Sequence, residues 1–139
     1  MKVLVDTCIW SRVWRHRQPD GVLANRVKDL IDDGRLVIIG PIRQELLSGI
    51  PDSKQFHHLK EILSAFEDSP LSTFHFEKAA EFSNLCRKRG VQGSTVDFLI
   101  CAVAHLENFI IFTTDEDFEV YKKYLPINLM MTSSGPVSE

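Results

Sequence analysis

Three short runs, Val3-Leu4-Val5, Leu36-Val37-Ile38-Ile39 and Phe109-Ile110-Ile111-Phe112, contain no polar residue. A strand with one wet face alternates apolar and polar side chains, so continuous runs of this length point to strands covered on both faces, as inside a parallel sheet. Between the runs, apolar residues recur at helical spacing. Ile9, Trp10, Val13 and Trp14 follow the first run, and Leu23, Val27, Leu30 and Ile31 mark a helix from Asp20 to Asp33 closed by Gly34. Pro41 opens a short helix carrying Arg43, Glu45, Leu46 and Leu47, stopped by Gly49 and Pro51. Phe56, Leu59, Ile62, Leu63 and Phe66 describe an amphipathic helix from Ser53 to Glu67. Past Pro70 the pattern predicts a weaker strand at Leu71 to Phe74, a helix from Phe76 to Arg89, a loop at Gly90 to Gly93 and a helix from Thr95 to Glu107. A last short strand is expected around Pro126 to Leu129. Strands separated by helices throughout make an α/β architecture with a mainly parallel sheet.

At 139 residues the chain has room for one domain with its own core, and no repeat or linker divides it. Sixteen basic against 19 acidic side chains leave a formal charge of −3, which argues against a protein that wraps duplex DNA through a general positive field. Cys8, Cys86 and Cys101 show no CxxC pairing, so neither a disulfide framework nor a zinc site is expected. Asp6 interrupts the start before a signal-peptide core can form, and Phe98 to Ala104, the longest apolar run, is too short to span a bilayer. The expected location is a reducing cytoplasm.

Carboxylates stand where such a fold places ligands, outside the carboxyl ends of the strands. Asp6 follows the first run and Asp115 the late one, so neighbouring strands would bring them to one cleft. Asp97 comes from the first turn of an apolar helix and Glu45 from the helix after the second strand. Acids gathered in one place repel unless cations bind, and oxygen donors suit Mg²⁺ or Mn²⁺. Each acid also has a structural reading: Asp6 as a helix N-cap, Asp97 as the third position of a capping box begun by Ser94, Glu45 as an ordinary helical glutamate, Asp115 and Asp117 as turn or cap residues.

Taken together, Val5-Asp6-Thr7, Glu45-Leu46-Leu47 with Gly49, Asp97-Phe98-Leu99-Ile100-Cys101-Ala102 and Thr113-Thr114-Asp115-Glu116-Asp117-Phe118 resemble the motifs of PIN-domain ribonucleases, and the length is that of VapC-type toxins of toxin–antitoxin pairs. The resemblance implies a three-layer α/β/α sandwich over residues 1–131, with 132–139 as a flexible tail. It implies that Asp6, Glu45, Asp97 and Asp115 are the catalytic acids that hold one or two Mg²⁺ or Mn²⁺ ions. Asp117 would be an auxiliary acid, and Thr7 and Thr113 would orient carboxylates or water. Cys8 and Cys101 depart from the usual residues at their positions without removing a ligand.

Two ions about 3.5–4 Å apart would activate a water and stabilise a departing 3′ oxygen, leaving 5′-phosphate and 3′-hydroxyl ends. The alternative RNase chemistry shuttles protons between histidines, but none of the five has a derivable place beside the acids. His57-His58 reads as a solvated helix edge and His105 as a flank of the core. Candidate RNA contacts are Arg12, Arg15 and Arg17 after the first helix, and Arg87, Lys88 and Arg89, which equally suit the end of a helix dipole. Arg43 is placed to pair with a site acid when no metal is bound. Trp10 and Trp14, four apart, read as core or protein interface.

The resemblance further implies cleavage of tRNA or ribosomal RNA loops, a homodimer, a cognate VapB antitoxin and no membrane. The helices Asp20 to Asp33 and Ser53 to Glu67 are the expected antitoxin groove. A haloacid-dehalogenase-like phosphatase would need an acid where Cys8 stands, and a receiver domain a lysine where Thr113-Thr114-Asp115 stands. A catalytically inactive PIN-fold binding module is the remaining alternative; the full set of acids speaks against it, since such a cluster without metal costs stability.

Overall fold

In the computed structural model, β1 (Val3–Val5) is buried along its length and flanked by parallel strands on both sides, which is what its lack of a polar face requires. Residues 1–15 and 20–130 are described. His16, Arg17, the side chain of Arg15 and the tail expected at 132–139 lie outside the described residues. Among the described residues the sheet has the order β2-β1-β3-β4, all parallel, with β2 at Leu36–Val37, β3 at Ile110–Phe112 and β4 at Leu129–Met130.

From β1 the chain runs through α1 (Thr7–Trp10), a π-helical turn (Ser11–Arg15) and α2 (Gly21–Asp32) to β2. Gly34, at φ 67°, makes the left-handed turn between α2 and β2. It continues outward through α3 (Gly40–Ser48) and α4 (Ser53–Leu63), then returns through α5 (Thr73–Lys88) and α6 (Thr95–Glu107) to β3, and ends through α7 (Asp117–Lys122) on β4. Right-handed crossovers put the outward-going and the returning helices on opposite faces, and the contacts agree: α3 touches α1 and α4, whereas α6 touches α5 and β3. The result is a three-layer α/β/α sandwich.

Two expectations are corrected. The strand at Leu71 to Phe74 does not form, because α5 begins at Thr73. Pro70 has no N–H for a ladder, and the Ser72 N–H donates to His75 Nδ1 at 2.9 Å, starting a helix instead. The sheet edge is reduced to one bridge, Ile38 opposite Asp68, with Ser69 N–H donating to Ile38 O at 2.8 Å. Arg43 does meet an acid, but it is Asp68 at that edge, 2.9 Å from Nε, and not a site acid. Its other nitrogens donate to the Leu63 and Phe66 carbonyls, so the guanidinium is committed to closing the end of α4. A cavity of about 480 Å³ lies along α4 against Trp14, Ile50 and Pro51.

Every side chain from Phe98 to Ala104 is buried, so the middle of α6 is wrapped on all sides. Asn108 ends it at φ 64° in the left-handed conformation. Trp10 is buried and its ring stacks on half-buried Trp14 at 5.0 Å. His57, His58 and His105 are exposed, and His105 lies beside Phe82. Among the described residues no helix is long and apolar enough to cross a membrane.

Candidate metal centre at the switch point of the sheet

β1 and β3 are neighbours in register Val5 to Phe112, so Asp6 and Thr113 leave the sheet side by side, and the Asp6 N–H still donates to Phe112 O at 3.0 Å. The connections from these strands run to opposite faces, which opens a crevice between them. Thr113 joins its two walls. Its hydroxyl donates to Asp6 Oδ2 at 2.8 Å and accepts from the Asp115 N–H at 3.0 Å.

Asp6 is indeed the N-cap of α1, its Oδ1 accepting from the Thr7 N–H at 2.7 Å. Capping leaves its carboxylate in the cleft all the same. The residue is only 6% exposed, and that burial pushes its pKa up. Hydrogen bonds from Thr113, Thr7 and Cys8 pull it down, and the nearby charge of Asp97 pushes it up.

Asp97 has the backbone half of the expected cap, its N–H donating to Ser94 Oγ at 3.0 Å. Its side chain points elsewhere: Oδ2 accepts from the Tyr121 hydroxyl at 2.6 Å. Asp115 Oδ1 accepts from the Asp117 N–H at 2.9 Å, a turn that folds the two acids of this loop together. Asp97, Asp115 and Asp117 each bring one carboxylate oxygen within 4.8 Å of the others. Three hard oxygen donors at that spacing fit a hard divalent cation such as Mg²⁺ or Mn²⁺.

The structure therefore gathers Asp97 and Asp115 with Asp117, the acid expected only as an auxiliary. Asp6 stands behind this group, joined through Thr113. Glu45 is exposed on α3 and outside the group, but its Oε1 accepts from the Thr7 hydroxyl at 2.6 Å, which ties it to the residue beside Asp6. Both threonines thus hold acids.

Two contributors were given no role in the sequence reading. Cys8 Sγ lies 3.5 Å from Asp6 Oδ2 and 3.4 Å from the Thr113 hydroxyl, and accepts from the Thr114 N–H and hydroxyl. Tyr121 is fully buried with its hydroxyl on Asp97, and burial together with that carboxylate pushes its phenol far up, so it is a donor across the ordinary pH range. Its available signal was that a buried tyrosine needs a partner for its hydroxyl.

Arg12, Arg87, Lys88 and Arg89 are exposed. Arg89 stacks over the Tyr124 ring at 5.7 Å. Arg87 lines a cavity of about 210 Å³ with Ser83, Val91, Gln92, Gly93 and Phe98, next to the start of the Asp97 helix. The expected site position Arg15 is not described beyond its backbone.

A family model described as PIN domain matches residues 3–124. No curated protein matches the chain at a significant level. Among solved structures, FitAcB from Neisseria gonorrhoeae is similar with 19% identity and a TM-score of 0.76, over 93% of this chain and 96% of that one. VapBC2 from Rickettsia felis, bound to a DNA fragment from its promoter, is similar with 20% identity and a TM-score of 0.76, over 94% and 98%. VapBC-1 from nontypeable Haemophilus influenzae is similar with 20% identity and a TM-score of 0.75, over 94% and 97%. At these identities the likeness is one of fold.

Proposed function

The chain belongs to the PIN-domain family, and on that premise we propose that it is a metal-dependent endoribonuclease of the VapC toxin type, restrained by a cognate VapB-type antitoxin. PIN domains are in general nucleases. The observation that carries the reading is the convergence of Asp97, Asp115 and Asp117 at the switch point of the sheet, with Asp6 buried behind them.

Asp97, Asp115 and Asp117 would hold Mg²⁺ or Mn²⁺, with Asp6 and Glu45 reaching the same cleft. When bound, such ions lower the pKa of water and neutralise charge developing on phosphate oxygens, giving 5′-phosphate and 3′-hydroxyl products. The chain's own residues supply the positioning. Thr113 fixes the Asp6 carboxylate and the backbone of the Asp115 loop, and Thr7 fixes Glu45. Arg12, Arg15, Arg87, Lys88 and Arg89 are proposed to hold phosphates of the RNA, offsetting the repulsion between a net negative protein and its substrate. Single-stranded loops of tRNA or ribosomal RNA are the proposed targets, since their bases and backbone are accessible.

The structural neighbours include a toxin–antitoxin complex from Klebsiella pneumoniae and VapBC assemblies bound to DNA. For this chain we propose that the antitoxin docks along the cavity beside Trp14, Ile50, Leu59 and Ile62, where Lys54 and His58 give a polar rim. A homodimer and a cytoplasmic location belong to the same proposal. The test is incubation of the purified chain, stripped of antitoxin, with total cellular RNA in Mn²⁺ or Mg²⁺ and then in excess EDTA, beside Asp97→Asn. Discrete 5′-phosphate fragments that need metal and vanish in the variant are expected. No cleavage with either metal would overturn the enzyme and leave an inactive binding module.

A further inference from the structure

The cleft contains one side chain that nothing in the metal-binding pattern calls for. Tyr121 comes from α7, six residues after Asp115, and its ring is packed between Phe98 and Phe118, with ring centroids 5.2 Å away on each side. Its exposure is 0%, so the ring is held in place and its hydroxyl must find a partner inside the protein. That hydroxyl donates to Asp97 Oδ2 at 2.6 Å, a short bond of the charge-assisted kind.

The geometry of the opposite wall agrees. Gly93 lies against this contact: a Cβ there would sit 2.8 Å from Tyr121 Cζ, closer still to its hydroxyl, and 3.0 Å from Phe98 Cζ. No left-handed backbone angle requires glycine at this position, so its want of a side chain is explained by space and not by conformation. The bond to Asp97 therefore rests on two separate features, an immobilised ring and a cleared approach.

We propose that Tyr121 is a positioning residue for the cation site: it holds one oxygen of Asp97 so that the other faces Asp115 and Asp117, and Gly93 is glycine to let it do so. The proposal rests on the metal-site reading given above. A carboxylate mounted on the first turn of a helix has several open rotamers, and selecting one beforehand removes an entropic cost from cation binding. Partners of this kind behind a ligand are worth about 10–100-fold in metal affinity.

The test is a calorimetric Mn²⁺ titration of the full chain, freed of antitoxin, in the wild type and in Tyr121→Phe, Gly93→Ala, the double variant and Asp97→Asn. Tyr121→Phe keeps the ring and should bind Mn²⁺ about 10–100-fold more weakly. Gly93→Ala, which displaces the hydroxyl, should show a loss of the same order, and the double variant should be no weaker than the worse single one, because both act on one bond. In RNA cleavage, Tyr121→Phe should recover the wild-type kcat at saturating Mn²⁺ with the KM for RNA unchanged, a rescue that general damage to packing would not permit. If Asp97→Asn loses Mn²⁺ while Tyr121→Phe binds within about two-fold of the wild type, the positioning role is wrong and the metal site stands. If the wild type itself takes up no Mn²⁺, both fall together.

Discussion

Replacing Asp115 by Asn should stabilise the metal-free protein and destabilise the metal-loaded one relative to wild type. Without a cation, carboxylate oxygens of Asp115, Asp97 and Asp117 lie within 4.8 Å of one another. Two unit charges at that distance repel by about 0.9 kcal/mol in a water-like medium and about 3.5 kcal/mol at an effective dielectric constant of 20. Asp97 and Asp115 are half-buried, Asp117 is exposed, and salt screens such charges, so the two repulsions that Asp115 feels together come to about 1 kcal/mol. The asparagine oxygen can still accept from the Asp117 N–H, which preserves the turn. In EDTA the variant should therefore melt about 3 °C above the wild type. Mn²⁺ at a hundred times its Kd should add about 2.7 kcal/mol, or about 8 °C, to the wild type. The variant lacks one charged ligand and should gain much less at the same concentration, so the order of the two melting temperatures inverts. Thermal unfolding followed by circular dichroism, with EDTA or Mn²⁺ in otherwise identical buffer, measures both signs. A variant that melts below wild type in EDTA would show that Asp115 serves the loop and not a cation, and the reasoning would be refuted.

Burial holds the Asp6 proton more tightly in the folded than in the unfolded chain, so its contribution to stability is complete below the ordinary aspartate pKa of about 4 and is lost as pH rises through the folded value. In EDTA the stability of Asp6→Asn relative to wild type should accordingly increase with pH over that window; a constant difference would contradict it. Arg43→Met should lower stability by about 2–4 kcal/mol, since it strands the Leu63 and Phe66 carbonyls and Asp68, while cleavage below the melting transition stays at the wild-type rate. Urea unfolding beside an RNA assay separates the two, and a large fall in kcat would return Arg43 to the site. Arg87→Ala should weaken binding to RNA and reduce the salt dependence of that binding by about one phosphate contact, measured by fluorescence polarisation across salt concentrations on the Asp97→Asn background. An unchanged salt slope would remove Arg87 from the RNA path.

The fold was legible where burial is two-sided, because Val3–Val5 and Ile110–Phe112 have no polar face to offer water. It was illegible at the sheet edge. There one bridge at Asp68 and a His75 ring nitrogen on the Ser72 N–H decide between strand and helix, and neither leaves a periodic trace in the sequence. Gly34 at its left-handed turn was readable as a stop, and Asp115 with Asp6 could be assigned to one cleft once their strands were taken as neighbours. How the acids divide within that cleft was not readable. Asp117 joins Asp97 and Asp115 because a turn of the backbone folds it back, while Glu45 is reached only through Thr7, and both facts depend on loop geometry. Tyr121 and Cys8 were missed for a related reason: each is apolar by its spacing and becomes polar in effect only through a neighbour distant in sequence.

Asp97 stands one residue before seven consecutive buried side chains, Phe98 to Ala104. A segment enclosed in this way opens only when the whole molecule does, so its amide protons should exchange with solvent at the pace of global unfolding, and a protease finds no foothold on it. The body of the helix that carries Asp97 is therefore not a part that opens by itself. Under the toxin reading, silence is then imposed from outside, by the bound partner, and it lasts only as long as that partner stays. The lifetime of the complex, and not the melting of α6, would then set how long the site is silent.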